Sequence, residues 1–531
     1  MSMSEHRRRE PSGRQLLSDE AAAELSHIPT EVIDLGDAPP LAPANTLSQG
    51  EVRAILMSLL LAMFLAALDQ TIVATALPTI GRQFGDVENL SWVITAYLLS
   101  STAVAPVFGS LADIYGRRAT IIASISLFIA GSVMCALAPS LLVLILGRAL
   151  QGLGGGGIMP IVQTVISDVV TPRERGKYQA YFSAVWVSAG IGGPILGGAF
   201  AEHLHWSMIF WINLPLAIGA LALLLPKMAK IPTYHRRRKV DWLGGVLLMA
   251  SAMAVMLALT WGGTRFSWLS PTILALSGGA VLLAVCFVWH ALRAPEPFLP
   301  LQLMGGTVVP WAMAAGGFAM GAMIGLTVHM PLYYEAVYHL TASQSGLALI
   351  PIAAVSVLGA AFTGRAMVKV ERYKRIAILG TGFSALMAAA IAVTTPLPLW
   401  LFLALLSLFS IGLGTVFPVT VVSIQNAVAR PQIGTATGAM NFFRALMASF
   451  TVAAFTAVLL IAFGGEIQLG GAEHRHAIGT VAAADMVAAF RWVFAAAAAM
   501  LAASAICVAI MEERTLAGPE QTSPPPLEMA E

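Results

Sequence analysis

Apolar residues in this chain come in long unbroken runs rather than in alternation. Fourteen runs of roughly twenty mostly apolar residues follow one another, at 54–78, 91–112, 119–138, 140–166, 178–200, 207–226, 241–261, 271–291, 308–334, 345–366, 374–394, 398–424, 437–463 and 486–511. About twenty apolar residues in helical conformation cross the hydrocarbon of a bilayer. The pattern therefore predicts an all-α, polytopic membrane protein with 14 transmembrane helices. A transmembrane barrel is excluded, because its strands would switch between apolar and polar at every second residue. Residues 1–50 are polar, mix acids with bases and have no helical period, so they read as a disordered cytoplasmic tail. They lack the apolar core of a cleaved signal peptide. Residues 512–531 read as a second cytoplasmic tail.

Positive charge orients the runs, since Lys and Arg concentrate in cytoplasmic segments. With both termini inside, 24 of the 30 lysines and arginines fall on the inner side and four on the outer side, while Arg148 and Arg444 lie within runs. A miscounted helix would scramble this alternation beyond the error. A degenerate internal repeat points the same way. GSLADIYGRR begins at Gly109 and GRAMVKVERYKR at Gly364, both basic and both on the inner side. The offset matches a six-helix unit, two inserted helices and a second six-helix unit, and repeated halves around a central pathway are a transporter architecture. The expected organisation is a six-helix bundle at 51–226, a basic linker at 227–240, two inserted helices at 241–291 and a second six-helix bundle at 292–511.

Composition narrows the function classes. Only 11% of residues are charged and 57% are hydrophobic, against roughly 25% charged in soluble domains. Soluble enzymes, nucleic-acid binders and disordered scaffolds are poor fits, and a net charge of +2 offers no bulk attraction for an anionic partner. Cys135, Cys286 and Cys507 lie singly in apolar runs and read as small buried hydrophobes, not as a metal or redox site. No HExxH, GxSxG or Walker A pattern occurs, and the inner loops and the outer loop at about 464–485 are too short for a catalytic or ATP-hydrolysing domain. No cofactor or metal is expected.

Few charges lie inside the runs, and each costs roughly 2.5–3.5 kcal/mol at mid-bilayer, so each is informative. Asp69 sits well inside the first run. Burial raises a carboxyl pKa and a nearby cation lowers it, so an acid held between these effects can load and release a proton; the alternative is a permanent packing tie to an arginine. Arg148, placed near the middle of the fourth run, keeps its proton and needs an acceptor, for which Asp69 is the candidate. Arg444 lies about two turns into the thirteenth run, where a long side chain can snorkel to the inner headgroups. Glu335 and His329 lie near the outer end of the ninth run, close to headgroup water. A substrate-pathway role for Arg444 and Glu335 stays open beside these readings.

Two glycine-rich stretches need geometric explanations. GLGGGGIMP begins at Gly152, and AGIGGPILGGAF contains Gly190, Gly193, Pro194, Gly197 and Gly198. Gly193 and Gly197 form a small-xxx-small step that permits close helix approach, and Pro194 can bend a helix. Neither follows a strand or ends in GK[ST], so neither is a phosphate loop. Static packing and a bendable or sealing helix both remain open. In the loop after the second run, Gly109 and Gly116 permit tight turning. Asp113 would be favoured near a helix N-terminus, and Arg117 could pair with Asp168. Contacts present in only one helix arrangement would bias a two-state equilibrium; a plain solvated basic loop is the alternative.

These residues resemble the major facilitator superfamily and, within it, the fourteen-span drug:proton antiporter family. The resemblance covers nearly all of 54–511. It rests on LDQTIVATALP (68–78), GSLADIYGRR (109–118), RALQGLGGGG (148–157) and AGIGGPILGG (189–198), with WINLP (211–215) and DWLGG (241–245) as further landmarks. It implies that Asp69 is the proton-coupling acid and Arg148 its modulator. It implies an inner gate of Gly109, Asp113, Gly116, Arg117 and Asp168, and an antiport-associated helix bend at Gly190, Gly193, Pro194, Gly197 and Gly198. The tenth run lacks the further acid that some members use for cationic drugs. The function expected is proton-coupled export of lipophilic or cationic amphipathic small molecules by alternating access, across a bilayer that the family suggests is a bacterial inner membrane. Export of one metabolite, such as a siderophore, lipid or sugar, and a non-transporting sensor or enzyme are the alternatives. A monomer would suffice; the sequence sets no oligomeric state.

Overall fold

Fourteen helices are long and apolar enough to cross a membrane. We label them α1 Gly50–Phe84, α2 Trp92–Ile114, α3 Arg117–Ala136, α4 Leu141–Val169, α5 Pro172–His203, α6 Met208–Lys227, α7 Trp242–Trp261, α8 Pro271–Arg293, α9 Val309–Tyr338, α10 Gln344–Lys369, α11 Lys374–Thr394, α12 Leu399–Ala427, α13 Arg430–Ala462 and α14 Ala484–Ile510. The structure is a computed structural model that describes residues 48–86, 89–228, 240–263, 265–299, 301–462 and 483–516. These all belong to one compact unit. Residues 1–47 and 517–531 of the expected tails, most of the 227–240 linker and most of the 464–485 loop lie outside the described residues.

Local chemistry explains where the helices differ from the apolar runs. The tail expected to reach residue 50 ends earlier: Ser48 caps α1, and its backbone N–H donates to Glu51 in return, a capping box. α1 also continues beyond Pro78, where the run ended. Neighbouring helices tolerate a membrane proline, and the helix stops only at Gly85, whose φ of 72° is left-handed. The start of the second expected tail is likewise held in place. Tyr373 donates its hydroxyl to the Arg514 carbonyl (3.1 Å), the Asn426 amide donates to the Thr515 carbonyl (3.2 Å), and Thr307 bonds Glu512.

The surface is apolar where lipid tails would lie. Leu274, Val281, Leu282, Val285, Trp289 and Leu292 of α8 are exposed, as expected for a helix with bilayer on most sides. Cys286, on the same helix, is half-exposed rather than buried, while Cys135 and Cys507 are buried. The inserted helices α7 and α8 pair with each other, and Ser251 donates to the Ala280 carbonyl at 3.0 Å. α7 also packs on α2 and α13, and Trp261 meets Trp92 edge-on at 5.6 Å. The pair therefore leans on both repeats.

Asp241 ties this pair together at its basic end. Its carboxylate caps α7 through the Gly244 N–H (2.9 Å) and accepts from His290 Nε2 (2.7 Å) and the Phe298 N–H (3.0 Å). Partial burial opposes ionisation, but these bonds outweigh it and hold the carboxyl below its ordinary value. A depressed carboxyl contributes stability above its unfolded pKa, and that contribution is lost as pH falls through the folded value. Asp241→Ala is expected to lose about 1–2 kcal/mol at pH 7, and the gap to wild type should begin to narrow below about pH 4. Thermal melts in nanodiscs at pH 7 and pH 3 measure this; an equal gap at both would refute it.

Candidate functional site

Polar residues within an apolar bundle are stable only where they are hydrogen-bonded, and five of those in α1 to α6 converge on one point. Asp69 of α1 is fully buried, as are Gln151 and Asn213, and Arg148 is 1% exposed. Arg148 Nη1 donates to Asp69 Oδ2 at 2.6 Å, the Gln151 amide donates to Oδ1 at 2.7 Å, and the Asn213 amide to the same oxygen at 2.9 Å. The carboxylate thus has three donors from α4 and α6 and needs no water. Arg148 is held as fully: Nε donates to the Val93 carbonyl (2.9 Å), Nη1 also reaches Gln151 Oε1 (2.6 Å), and the guanidinium lies over the Tyr97 ring at 4.3 Å. Ser132 of α3 accepts from the Gln151 amide at 2.8 Å.

The pairing of Asp69 with Arg148 was expected from their placement in apolar runs; the depth was not. Arg148 lies seven residues from Leu141, the start of α4, about 10 Å at 1.5 Å per residue. It is therefore in the third of the bundle away from the basic loops, not near the middle of its helix. Gln151, Asn213 and Ser132 complete the cluster without having been singled out. Gln151 had a signal, since it follows Arg148 by three positions on the same helix face. Asn213 lay in WINLP with no chemistry attached.

Glycines bring these helices close. A Cβ at Gly193 would lie 2.1 Å from Thr71 Oγ1, and one at Gly197 would lie 2.5 Å from the Ile72 carbonyl oxygen, so this step seats α5 on the α1 stretch that carries Asp69. Gly190 and Gly198 face open space, and α5 runs as one helix through Pro194. The run in α4 works similarly. A Cβ at Gly152 would strike the Tyr97 carbonyl at 2.5 Å and one at Gly154 the Phe128 N–H nitrogen at 2.3 Å, which locks α4 between α2 and α3.

At the basic end a second cluster spans the two repeats. Arg117 donates to Asp113 at 2.6 Å and to Asp168 at 3.0 Å. Asp113 also accepts from the backbone N–H groups of Gly434 (3.0 Å) and Thr435 (2.7 Å) and from the Thr435 hydroxyl (2.8 Å). The helix N-terminus that favours Asp113 is therefore that of α13, in the other repeat. Gly116 makes the turn into α3 with φ at 87°, a conformation that favours glycine. A Cβ at Gly109 would lie 2.3 Å from the Gly434 carbonyl oxygen, and one at Gly364 would lie 2.1 Å from the Gly176 carbonyl oxygen. The two glycines of the sequence repeat thus seat equivalent contacts, α2 on α13 and α10 on α5. Asn441 donates to Gln163 Oε1 at 2.9 Å farther in. The two repeats are closed against each other at this end.

The remaining charged candidates stand apart. Arg444 does not snorkel: it is 6% exposed, its Nη2 donates to Thr420 at 2.7 Å, and it lies against Gly316 of α9. Glycine at 316 leaves a recess that a long cation fills before it can reach headgroups. Glu335 is half-buried one turn from the end of α9 and makes no ion pair with Arg444. His329 is buried rather than near water, held between the Gly325 carbonyl (2.8 Å) and Thr456 (3.0 Å).

Residues 59–452 match the family model for the Major Facilitator Superfamily. The chain belongs to that superfamily. Among curated relatives of this member, Efflux pump FUS6 of Gibberella moniliformis is 35% identical over 418 residues, covering 76% of this chain and 73% of the relative. Multidrug transporter protein MdtP of Bacillus subtilis is 30% identical over 415 residues, covering 77% and 76%. The uncharacterised MFS-type transporter Rv1877 of Mycobacterium tuberculosis is 34% identical, and the chain spans 59% of its length. In fold, the superfamily member is similar to a crystal structure of the human organic anion transporter MFSD10, with a TM-score of 0.59, 14% identity, and coverage of 85% of this chain and 99% of that one. It is a multi-pass membrane transporter and not an enzyme.

Proposed function

We propose that this transporter exports amphipathic small molecules from the cytoplasm in exchange for protons, by rocking residues 51–226 against 292–511. The observation that carries the reading is the wholly buried Asp69, whose counter-ion Arg148 comes from a different helix. Such an acid can be neutralised by a proton only when the helices move enough to admit water, so protonation and rearrangement are coupled by construction. Asp69 is the exchanged acid; Arg148 and Gln151 set the geometry to which it returns. Asp113, Arg117 and Asp168 form the gate of the basic end, which faces the cytoplasm together with both termini. The names of the FUS6 and MdtP relatives support efflux of small molecules. Lipophilic and cationic compounds are the proposed cargo, and a bacterial inner membrane is the proposed site.

The test is uphill transport of ethidium by the purified protein in proteoliposomes. An imposed pH gradient should drive accumulation, and a protonophore should abolish it. Accumulation that needs no gradient, or that ignores the protonophore, would refute proton exchange. Competition by many unrelated amphiphiles is the expected profile; a single potent competitor would identify a one-metabolite exporter instead.

A further inference from the structure

Two of the buried arginines, Arg148 and Arg444, are treated very differently. Arg148 has a carboxylate, an amide, a carbonyl and an aromatic face. Arg444 has one neutral hydroxyl, Thr420 Oγ1 at 2.7 Å, and the Phe417 ring at 5.4 Å. Its Nε is buried with no partner, and no carboxylate pairs with it among the described residues. A buried charge without a counter-ion is costly, and Gly316, against which the guanidinium lies, has no side chain to offset that cost.

Arg444 lies eleven residues along the helix from Ile433, about 16 Å, which is near the middle of that helix. Asn441, one turn earlier on α13, touches Gln163 of the opposite repeat, and Gln425 on α12 reaches the same residue's carbonyl at 3.4 Å. The guanidinium thus sits just beyond the closed part of the seam, at a depth distinct from that of Asp69.

We propose that Arg444 is an anion-binding subsite in the central pathway that takes the carboxylate or sulfonate of an amphipathic substrate, with Thr420 as a second donor and Phe417 against its apolar part. This deepens the export reading and rests on it for the word substrate. It changes the expected cargo, adding acidic amphiphiles to neutral and cationic ones. A planar guanidinium offers two parallel N–H donors to a carboxylate, and Arg444 has free donors for this purpose.

The probes are 1-naphthaleneacetic acid and its amide, which differ in charge but hardly in shape. Binding is measured by fluorescence titration of the full chain in phosphatidylcholine nanodiscs. Wild type should bind the acid about tenfold more tightly than the amide. Arg444→Gln should weaken the acid about tenfold and the amide less than twofold, and Arg444→Lys should keep part of the preference. Gly316→Ala, whose Cβ would lie 2.9 Å from Arg444 Nε, should displace the guanidinium and erode the preference if Arg444→Gln fails to fold. Equal wild-type affinities, or an equal loss for both probes in Arg444→Gln, would overturn the proposal. So would loss of acid binding when half the lipid is phosphatidylglycerol, which would identify a lipid headgroup as the occupant. Binding is measured with no pH gradient and coupling by gradient-driven ethidium transport, so failure of proton coupling and failure of the anion site are read separately.

Discussion

Asp69→Asn is expected to lower uphill, pH-driven transport in proteoliposomes by at least about a hundredfold while downhill substrate exchange persists. The reason is chemical. Asparagine preserves the shape of the group and keeps one acceptor oxygen, but its NH2 cannot accept the bonds made to the second carboxylate oxygen, and it cannot take up a proton. The variant also leaves Arg148 buried without its counter-ion, and removing one partner of a buried pair costs about 3–5 kcal/mol. A fall in stability alone would therefore not prove coupling. The double variant Asp69→Asn, Arg148→Gln separates the two effects, because it removes both charges. It should recover most of the lost melting temperature yet remain uncoupled. If the double variant regained uphill transport, Asp69 would be a structural partner of Arg148 and the proton would travel elsewhere. Uphill transport at the wild-type rate in Asp69→Asn alone would have the same meaning.

Much of this site was legible because a charge in an apolar run is conspicuous. Asp69 and Arg148 stood out for that reason, and a buried acid and a buried base in neighbouring helices have few partners but each other. A neutral amide has no charge to mark it, so Asn213 passed unnoticed, and Gln151 was marked only by its three-residue spacing from Arg148, although they donate to the same carboxylate at 2.9 and 2.7 Å. The number of helices followed from run length, whereas their ends followed from capping, which is why α1 begins at a serine cap and outlasts Pro78. The basic-end latch was half visible. Arg117 and Asp168 lie on adjacent helices and were paired from sequence, but the bond from Gly434 to Asp113 joins residues 321 positions apart. Only the packing of two repeats brings those together. Arg444 was misread because side-chain length permits snorkelling; what prevents it is a recess at Gly316, created by a helix that sequence alone does not place beside it.

Gly109→Val should open the basic end and reduce transport at least tenfold. A Cβ at residue 109 would lie 2.3 Å from the Gly434 carbonyl oxygen, 3.0 Å from its carbon and 3.1 Å from the Gly438 Cα. These are backbone atoms, so no rotamer change can relieve the contact and α2 must move away from α13. That movement also breaks the Asp113 bonds to Gly434 and Thr435, which exist only when the helices touch. The closed state then loses both its packing and its charged cap, while the open state loses nothing, so the population shifts toward open. Spin labels at the exposed positions Tyr115 and Glu371 report on it, one on each repeat at this end. Their distance distribution should move to longer values in Gly109→Val. The repeat supplies an independent check, because Gly364→Val meets the Gly176 carbonyl oxygen at 2.1 Å and should act in the same direction. Unchanged distance distributions, with transport rates within twofold of wild type in both variants, would show that these glycines fill space at the seam without governing its closure.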